Sequence, residues 1–209
     1  MFAMGVNIAE IIPKKEIDIK DLKGKTVAID AFNTLYQFLT SIRQQDGTPL
    51  MDKNGNITSH LSGLFYRNIN LLQEGIRPVY IFDGEIPELK LKELERRREQ
   101  KGIAAEKFAQ AKKEEDTEAM RKYASRTVSV NQKIIDESIE LLEAMGIQVV
   151  VAPSEGEAEA SYLCKSHKVW AAASQDYDSL LYGTPLLVRN LTLARRRKSS
   201  SGIYVEVHI

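Results

Sequence analysis

Short unbroken apolar runs in this chain stop at carboxylates. Lys25-Thr26-Val27-Ala28-Ile29 delivers Asp30, and Pro78-Val79-Tyr80-Ile81-Phe82 delivers Asp83. Val149-Val150-Val151 precedes Glu155, Glu157 and Glu159, and Val169-Trp170-Ala171-Ala172-Ala173 precedes Asp176 and Asp178. Runs of this kind, without polar alternation, predict strands buried on both faces, the pattern of a parallel sheet. The last two runs are separated by about a dozen residues suited to the crossover helix that parallel pairing requires. Apolar residues at helical spacing predict helices over 33–43 and 58–73, the second closed by Gly75. Between them, Asp46-Gly47-Thr48-Pro49 and Lys53-Asn54-Gly55-Asn56 are turn signals that predict a loop or short hairpin. Pro185 to Leu191 reads as a further strand, and Tyr204 to Ile209 alternates. The expectation is one α/β domain over 1–209, with a mostly parallel, twisted central sheet and helices on both faces.

Between Gly84 and Asn131 the pattern changes to helix formers dense in both charges and poor in large apolar residues, from Pro87-Glu88-Leu89-Lys90 through Lys112-Lys113-Glu114-Glu115-Asp116. Read alone, this is a solvated helical hairpin held by ion pairs one turn apart. It follows directly on Asp83, however, so its first basic residues are expected above the acidic strand ends. Lys90 and Arg97 are seven residues apart and share a helix face, from which they could hold a phosphate.

The acids carry the chemical argument. In an open parallel sheet the binding crevice lies outside the carboxyl ends of the strands, so Asp30, Asp83, Glu155, Glu157, Asp176 and Asp178 converge. Converging carboxylates repel one another unless cations sit among them. Hard oxygen donors, with no His or Cys among them, suit Mg²⁺ or Mn²⁺ and argue against zinc, and six acids exceed what one well-hydrated Mg²⁺ takes. A two-metal site for phosphodiester chemistry is the inference. A structural alternative stays open: Ser154 and Glu157 have capping-box spacing, and an Asp after a strand often only caps the next helix. Regular helix geometry also sets Glu155 and Glu157 about 200° apart, so one of them would reach the ions only through water. Glu159, a turn beyond Glu155, is the weakest member of the group.

Composition changes the picture little. At 43% hydrophobic and 28% charged, 209 residues suit a folded domain with a sizeable core. Lys plus Arg and Asp plus Glu are equal at 29 each, so net charge does not announce a nucleic-acid binder, although carboxylates assigned to ions mask a basic remainder. Cys164 sits in an apolar helical stretch and reads as core, His60 as structural. No run reaches transmembrane length and no signal peptide is present, which predicts an intracellular, cytoplasmic protein free of membranes. Repeats, a phosphate-binding glycine loop and a nucleophile elbow are absent from the sequence. Tyr36 is a core aromatic or a platform for a stacked base. The Arg195-Arg196-Arg197-Lys198 stretch is a basic loop, as readily plain surface as a phosphate contact.

Val27-Ala28-Ile29-Asp30-Ala31, Thr58-Ser59-His60-Leu61 with Phe65-Tyr66-Arg67, Pro78 to Gly84, Ala152-Pro153-Ser154-Glu155-Gly156-Glu157-Ala158 and Ser174-Gln175-Asp176-Tyr177-Asp178 resemble, in order and spacing, the amino-terminal and internal blocks of flap endonucleases, the archaeal form above all. The resemblance covers nearly the whole chain. It implies a 5′-nuclease or PIN-like fold with a helical arch over 84–130, and a structure-specific nuclease that removes 5′ flaps in DNA replication and repair. It implies two Mg²⁺ ions, replaceable by Mn²⁺, on the six acids; Lys90 and Arg97 as catalytic basic residues; and Tyr36 as the stacking aromatic. Arg43, Thr58 and Arg67 become further candidates for DNA contacts, and the protein is expected to act as a monomer. Family members continue past Ile209 with another metal-site aspartate, a duplex-gripping helix-hairpin-helix and a sliding-clamp peptide, so reduced activity is expected of these residues alone. The family begins Met-Gly, which makes Met4-Gly5 as good a start as Met1. Rival readings are a ribonuclease of the same superfold, a non-catalytic DNA-structure-binding module, and a phosphatase using Asp176 and Asp178 as an Asp-x-Asp pair.

Overall fold

Seven strands form one sheet in a computed structural model that describes residues 12–85, 87–114, 116–124, 127–191 and 203–207. They are β1 (Lys14–Ile17), β2 (Thr26–Asp30), β3 (Arg77–Phe82), β4 (Gln148–Val151), β5 (Ala171–Ala173), β6 (Leu186–Arg189) and β7 (Ile203–Val207). Their spatial order is β1-β7-β6-β5-β2-β3-β4. The pairs from β6 through β4 are all parallel, while β7 runs antiparallel to both β6 and β1. The apolar runs account for the parallel part. Val27, Ala28 and Ile29 are at most 1% exposed although successive side chains point to opposite faces, so this strand is covered on both sides.

One expectation needs correction, and one strand was not foreseen. Val169 and Trp170 precede β5 and do not belong to it, and Lys14-Lys15-Glu16-Ile17 is a strand that no apolar run announced. An exposed edge strand carrying lysines is a common defence against edge-to-edge pairing, and it removes the hydrophobic signal. The alternative starts Met1 and Met4, with Gly5, and the Arg195–Lys198 loop lie outside the described residues.

The helices are α1 (Ala31–Ser41), α2 (Ser59–Gln73), α3 (Glu88–Lys113), α4 (Thr117–Ala124), α5 (Gln132–Ala144), α6 (Gly156–Lys165) and α7 (Asp178–Leu181). The chain divides into two compact units, one of Met1–Thr34, Tyr66–Glu85 and Leu142–Ile209 and the other of Leu35–Phe65 and Ile86–Leu141. The first holds the whole sheet. There α6 packs against β2, β3 and β5, and small side chains permit the close approach: Ala160 and Cys164 join Ala28, Ala172, Ile81 and Leu163 in one buried cluster. Cys164 is a core residue, 3% exposed. Among the described residues no helix is long and apolar enough to cross a membrane.

In the second unit, the charged run forms α3 and α4, which pack on each other with Ala104, Ala111 and Met120 buried. Lys112 and Lys113 close α3 where cations favour the helix dipole. Residues 42–58 form two tight turns bridged at Arg43–Pro49 and Met51–Ile57, and the Asp52 carboxylate accepts hydrogens from the backbone of Asn54 and Asn56. His60, on α2, is fully buried, with Nε2 3.1 Å from Glu137 Oε2 on α5. Its Nδ1 has no hydrogen-bond partner. Burial holds this imidazole below its ordinary pKa, against the opposing pull of Glu137. The unfolded chain then binds the extra proton first, so stability is fully present above about pH 6.5 and falls as pH drops below it. Urea midpoints measured from pH 7 to pH 5 should fall less steeply in His60→Asn than in the wild type.

Candidate metal centre

The strand order explains how the acids meet. From β2 the chain steps outward to β3 and β4 on one side and to β5 and β6 on the other, so the topological switch point lies between β2 and β5. Register places Asp30 beside Ile81, Phe82 beside Val151 and Ile29 beside Ala173. Four neighbouring carboxyl ends therefore deliver Asp176, Asp30, Asp83 and Glu155 in that order.

Asn33, in the first turn of α1, ties the two sides of the switch point together. Its backbone N–H donates to Asp30 Oδ1 at 3.1 Å and its Nδ2 donates to Asp176 Oδ2 at 2.8 Å. Asp30 is 9% exposed. Burial, then the charges of Asp83 and Asp176, raise its carboxyl to about 7 against the lowering effect of the Asn33 and Phe32 backbone N–H groups. A nearby cation would reverse this destabilisation of the charged form. Edge-to-face packing of Phe32 on Phe82, centroids 6.1 Å apart, braces the exits of β2 and β3 below these acids.

Asp83 is held from across the site. The Gly156 N–H at the start of α6 donates to its Oδ1 at 2.7 Å, which places the carboxylate on the positive end of a helix. A side chain at 156 would lie 2.9 Å from that oxygen, so glycine is what lets the helix end approach. The capping box expected from Ser154 and Glu157 does not form. Ser154 Oγ donates to the Glu85 carbonyl at 3.0 Å, and Glu155 is the N-cap of α6 in an extended conformation, φ −82° and ψ 129°. Because Glu155 stands outside the helix, the helical argument that turned it away from Glu157 does not apply. Glu155 receives a hydrogen bond from the Tyr182 hydroxyl. That bond, then burial, then the charges of Glu155, Glu157 and Asp178, hold the phenol above its ordinary pKa. Glu159 stays in the first turn of α6, half-buried.

Arg189 of β6 fixes the loop that bears Asp176 and Asp178. Its guanidinium donates to the Tyr177 hydroxyl and, at 2.9 Å, to the Gln175 carbonyl, and it stacks 4.1 Å over the Tyr177 ring. Sequence reading missed Asn33, Tyr182, Arg189 and the glycine at 156 as contributors. The glycine between two acids was the one visible signal.

The donor set, all carboxylate oxygens, fits hard divalent cations. Among the described residues, no group of three or more His, Cys, Asp or Glu is already gathered into an ion cage. The remaining candidates lie in the second unit or at its border. Tyr36, 37% exposed, accepts a hydrogen bond from Lys101 at 2.8 Å, with the ammonium 5.1 Å from the ring centroid. Lys90 and Arg97 are exposed on α3. Arg43 turns inward, donating to the carbonyls of Leu39 and Gly47 at 2.9 and 2.6 Å, so its guanidinium braces the 42–49 turn. Thr58 bonds backbone to backbone with Leu50 and Ser62 ahead of α2, and the charge of Arg67 opposes the burial that raises the phenol of Tyr80 above its ordinary pKa.

Comparison with known proteins gives the same direction. The XPG N-terminal domain family profile matches residues 4–104, and the XPG I-region profile matches residues 146–209. Flap endonuclease 1 of Pyrococcus furiosus is 58% identical over 205 residues, covering 98% of this chain and 60% of that protein. The solved flap endonuclease-1 of Methanococcus jannaschii superposes with a TM-score of 0.71 at 50% identity, over 96% of this chain and 62% of its own. The catalytic core of Rad2 in complex with a DNA substrate does so at 0.62 and 27% identity, over 93% and 51%. The chain thus spans about 60% of the length of the curated relatives it matches.

Proposed function

The chain belongs to the XPG and flap endonuclease family, and we propose that it is a metal-dependent, structure-specific 5′ nuclease that hydrolyses DNA phosphodiesters at 5′ flaps. The observation that carries this reading is the run of adjacent parallel strand ends bearing Asp176, Asp30, Asp83 and Glu155, with Asn33 joining the two sides of the switch point. Two Mg²⁺ ions, replaceable by Mn²⁺, would be held by Asp30, Asp83, Glu155, Glu157, Asp176 and Asp178. Such ions supply a water activated at neutral pH and positive charge for the leaving oxygen. The protein's part is geometric. Asn33 and Gly156 hold Asp30, Asp176 and Asp83 in place, and burial of Asp30 keeps a low-dielectric floor under the site.

Lys90 and Arg97 neutralise charge that develops on the phosphate, and the Tyr36 ring stacks a base, an interaction worth about 1–3 kcal/mol. Lys101 already sits over that ring, so a base must share or displace it. The partner is flap-bearing DNA, met by a monomer inside the cell.

The test is Mg²⁺-dependent cleavage of a labelled double-flap DNA, set beside the same single strand, an RNA of equal length and a small phosphate ester. Preference for the flap supports the reading; faster cutting of RNA or of the ester replaces it with another hydrolase, and binding without cutting reduces it to a DNA-binding module. Arg97→Ala should lower single-turnover cleavage about tenfold or more without changing melting temperature, since an exposed basic residue contributes little to folding.

A further inference from the structure

Glu155 is a proposed ligand that stands just outside the helix it opens. It caps α6 without any side-chain hydrogen bond to that helix, its backbone is extended, and its side chain has three rotatable bonds.

Tyr182 is anchored by the turn it closes. It closes α7, the single turn that begins at Asp178, and its N–H bonds back to the Asp178 carbonyl at 3.3 Å. The turn behind it is pinned by buried Ser179 and Leu180, 1% and 2% exposed, and by the Gly183 and Thr184 N–H groups, which bond to the carbonyls of Leu180 and Ser179 at 2.8 and 3.2 Å. Gly183 adopts φ +75°, which releases the chain directly after Tyr182. One rigid turn therefore presents a proposed ligand at its start and a phenol at its end, and the phenol hydroxyl donates to Glu155 Oε2.

We infer that Tyr182 is a positioning residue for Glu155: its hydroxyl holds the carboxylate on the strand-end side of α6 and thereby raises the affinity of the centre for divalent cations. The inference rests on the metal-centre reading given above. Holding one long side chain ready removes an ordering cost that corresponds to about threefold to tenfold in affinity. It also makes the phenol a reporter, because a cation that draws on Glu155 alters the hydrogen bond at the ring.

The experiment compares the wild type with Tyr182→Phe, which keeps the ring and removes only the hydroxyl, by titrating Mn²⁺ without DNA and reading free Mn²⁺ by electron paramagnetic resonance. In parallel, the near-ultraviolet tyrosine difference spectrum is followed through the titration. Expected are the same number of bound ions, a dissociation constant about threefold to tenfold higher in the variant, a Mn²⁺-linked tyrosine signal smaller in the variant than in the wild type, and equal melting temperatures without metal. Unchanged or tighter Mn²⁺ binding by Tyr182→Phe, or a tyrosine signal of undiminished size in that variant, overturns the role of Tyr182. Asp176→Asn separates the two levels: if it loses Mn²⁺ while Tyr182→Phe does not, only this inference fails. If the wild type takes up no Mn²⁺, the metal-centre reading fails with it.

Discussion

Asp176→Asn is expected to lose divalent-ion binding and to slow flap cleavage by at least ~10²-fold while the fold persists. The substitution conserves shape, and the new amide can still turn its oxygen toward Asn33 Nδ2, which now sits 2.8 Å from Asp176 Oδ2. What disappears is one negative charge at the switch point, next to an Asp30 carboxyl that burial and the charges of Asp83 and Asp176 have raised to about 7. With Asp176 neutral, Asp30 ionises more easily, so the metal-free protein should be no less stable than the wild type. Loss of function with retained or improved stability is the signature of a charge kept for a ligand. Calorimetric titration with Mg²⁺ and Mn²⁺, alongside urea unfolding without metal, checks both halves; unchanged ion affinity would sink the assignment of Asp176 as a ligand.

The sequence exposed the acids because a buried parallel strand is an unbroken apolar run, and the first carboxylate after it is conspicuous. Asp30 and Asp83 needed nothing more than that. The contacts that organise the acids were hidden for a different reason: they join residues far apart in the chain. Asn33 and Asp176 are separated by 143 positions, and nothing in a helix opening with Asn33 shows which strand end it faces. The Ser154–Glu157 spacing suggested a local capping box, yet the Ser154 hydroxyl bonds to Glu85 on a neighbouring strand exit. A tertiary partner won over a local one, and the helix began one residue later than the pattern implied. Arg43, a candidate DNA contact in the sequence, could not be read there as a brace, yet the carbonyls of Leu39 in α1 and Gly47 in the adjoining turn both accept from its guanidinium. The edge strand Lys14–Ile17 was illegible because edge strands are kept polar for reasons unrelated to core formation.

Gly84→Ala should be among the most destabilising single substitutions in the chain, although it adds one methyl group to a half-exposed position. The exits of β3 and β4 remain fastened beyond the last sheet pair: the Ala152 N–H donates to the Phe82 carbonyl at 2.8 Å, and the Gly84 N–H donates to the Ser154 carbonyl at 2.7 Å. A Cβ on residue 84 would lie 1.9 Å from the Ala152 carbonyl oxygen and 3.0 Å from both the carbonyl carbon and oxygen of Pro153. All three are backbone atoms, so no side chain can swing aside, and relief requires parting the two exits that carry Asp83 and Glu155. Overpacking of this kind costs about 3 kcal/mol, which in a chain of this size corresponds to a fall of about 6–12 °C in melting temperature. Ion affinity should fall with it, because the separation of the two acids is what the fastening sets. Gly102→Ala provides the internal comparison. Gly102 lies within α3, with nothing within 4 Å of the added Cβ, so alanine should there stabilise by about 0.5–1 kcal/mol through helix propensity alone. Urea unfolding of the two variants side by side should therefore give shifts of opposite sign. Equal midpoints for Gly84→Ala and the wild type would show that the strand exits yield freely, and that their fastening does not set the spacing of Asp83 and Glu155.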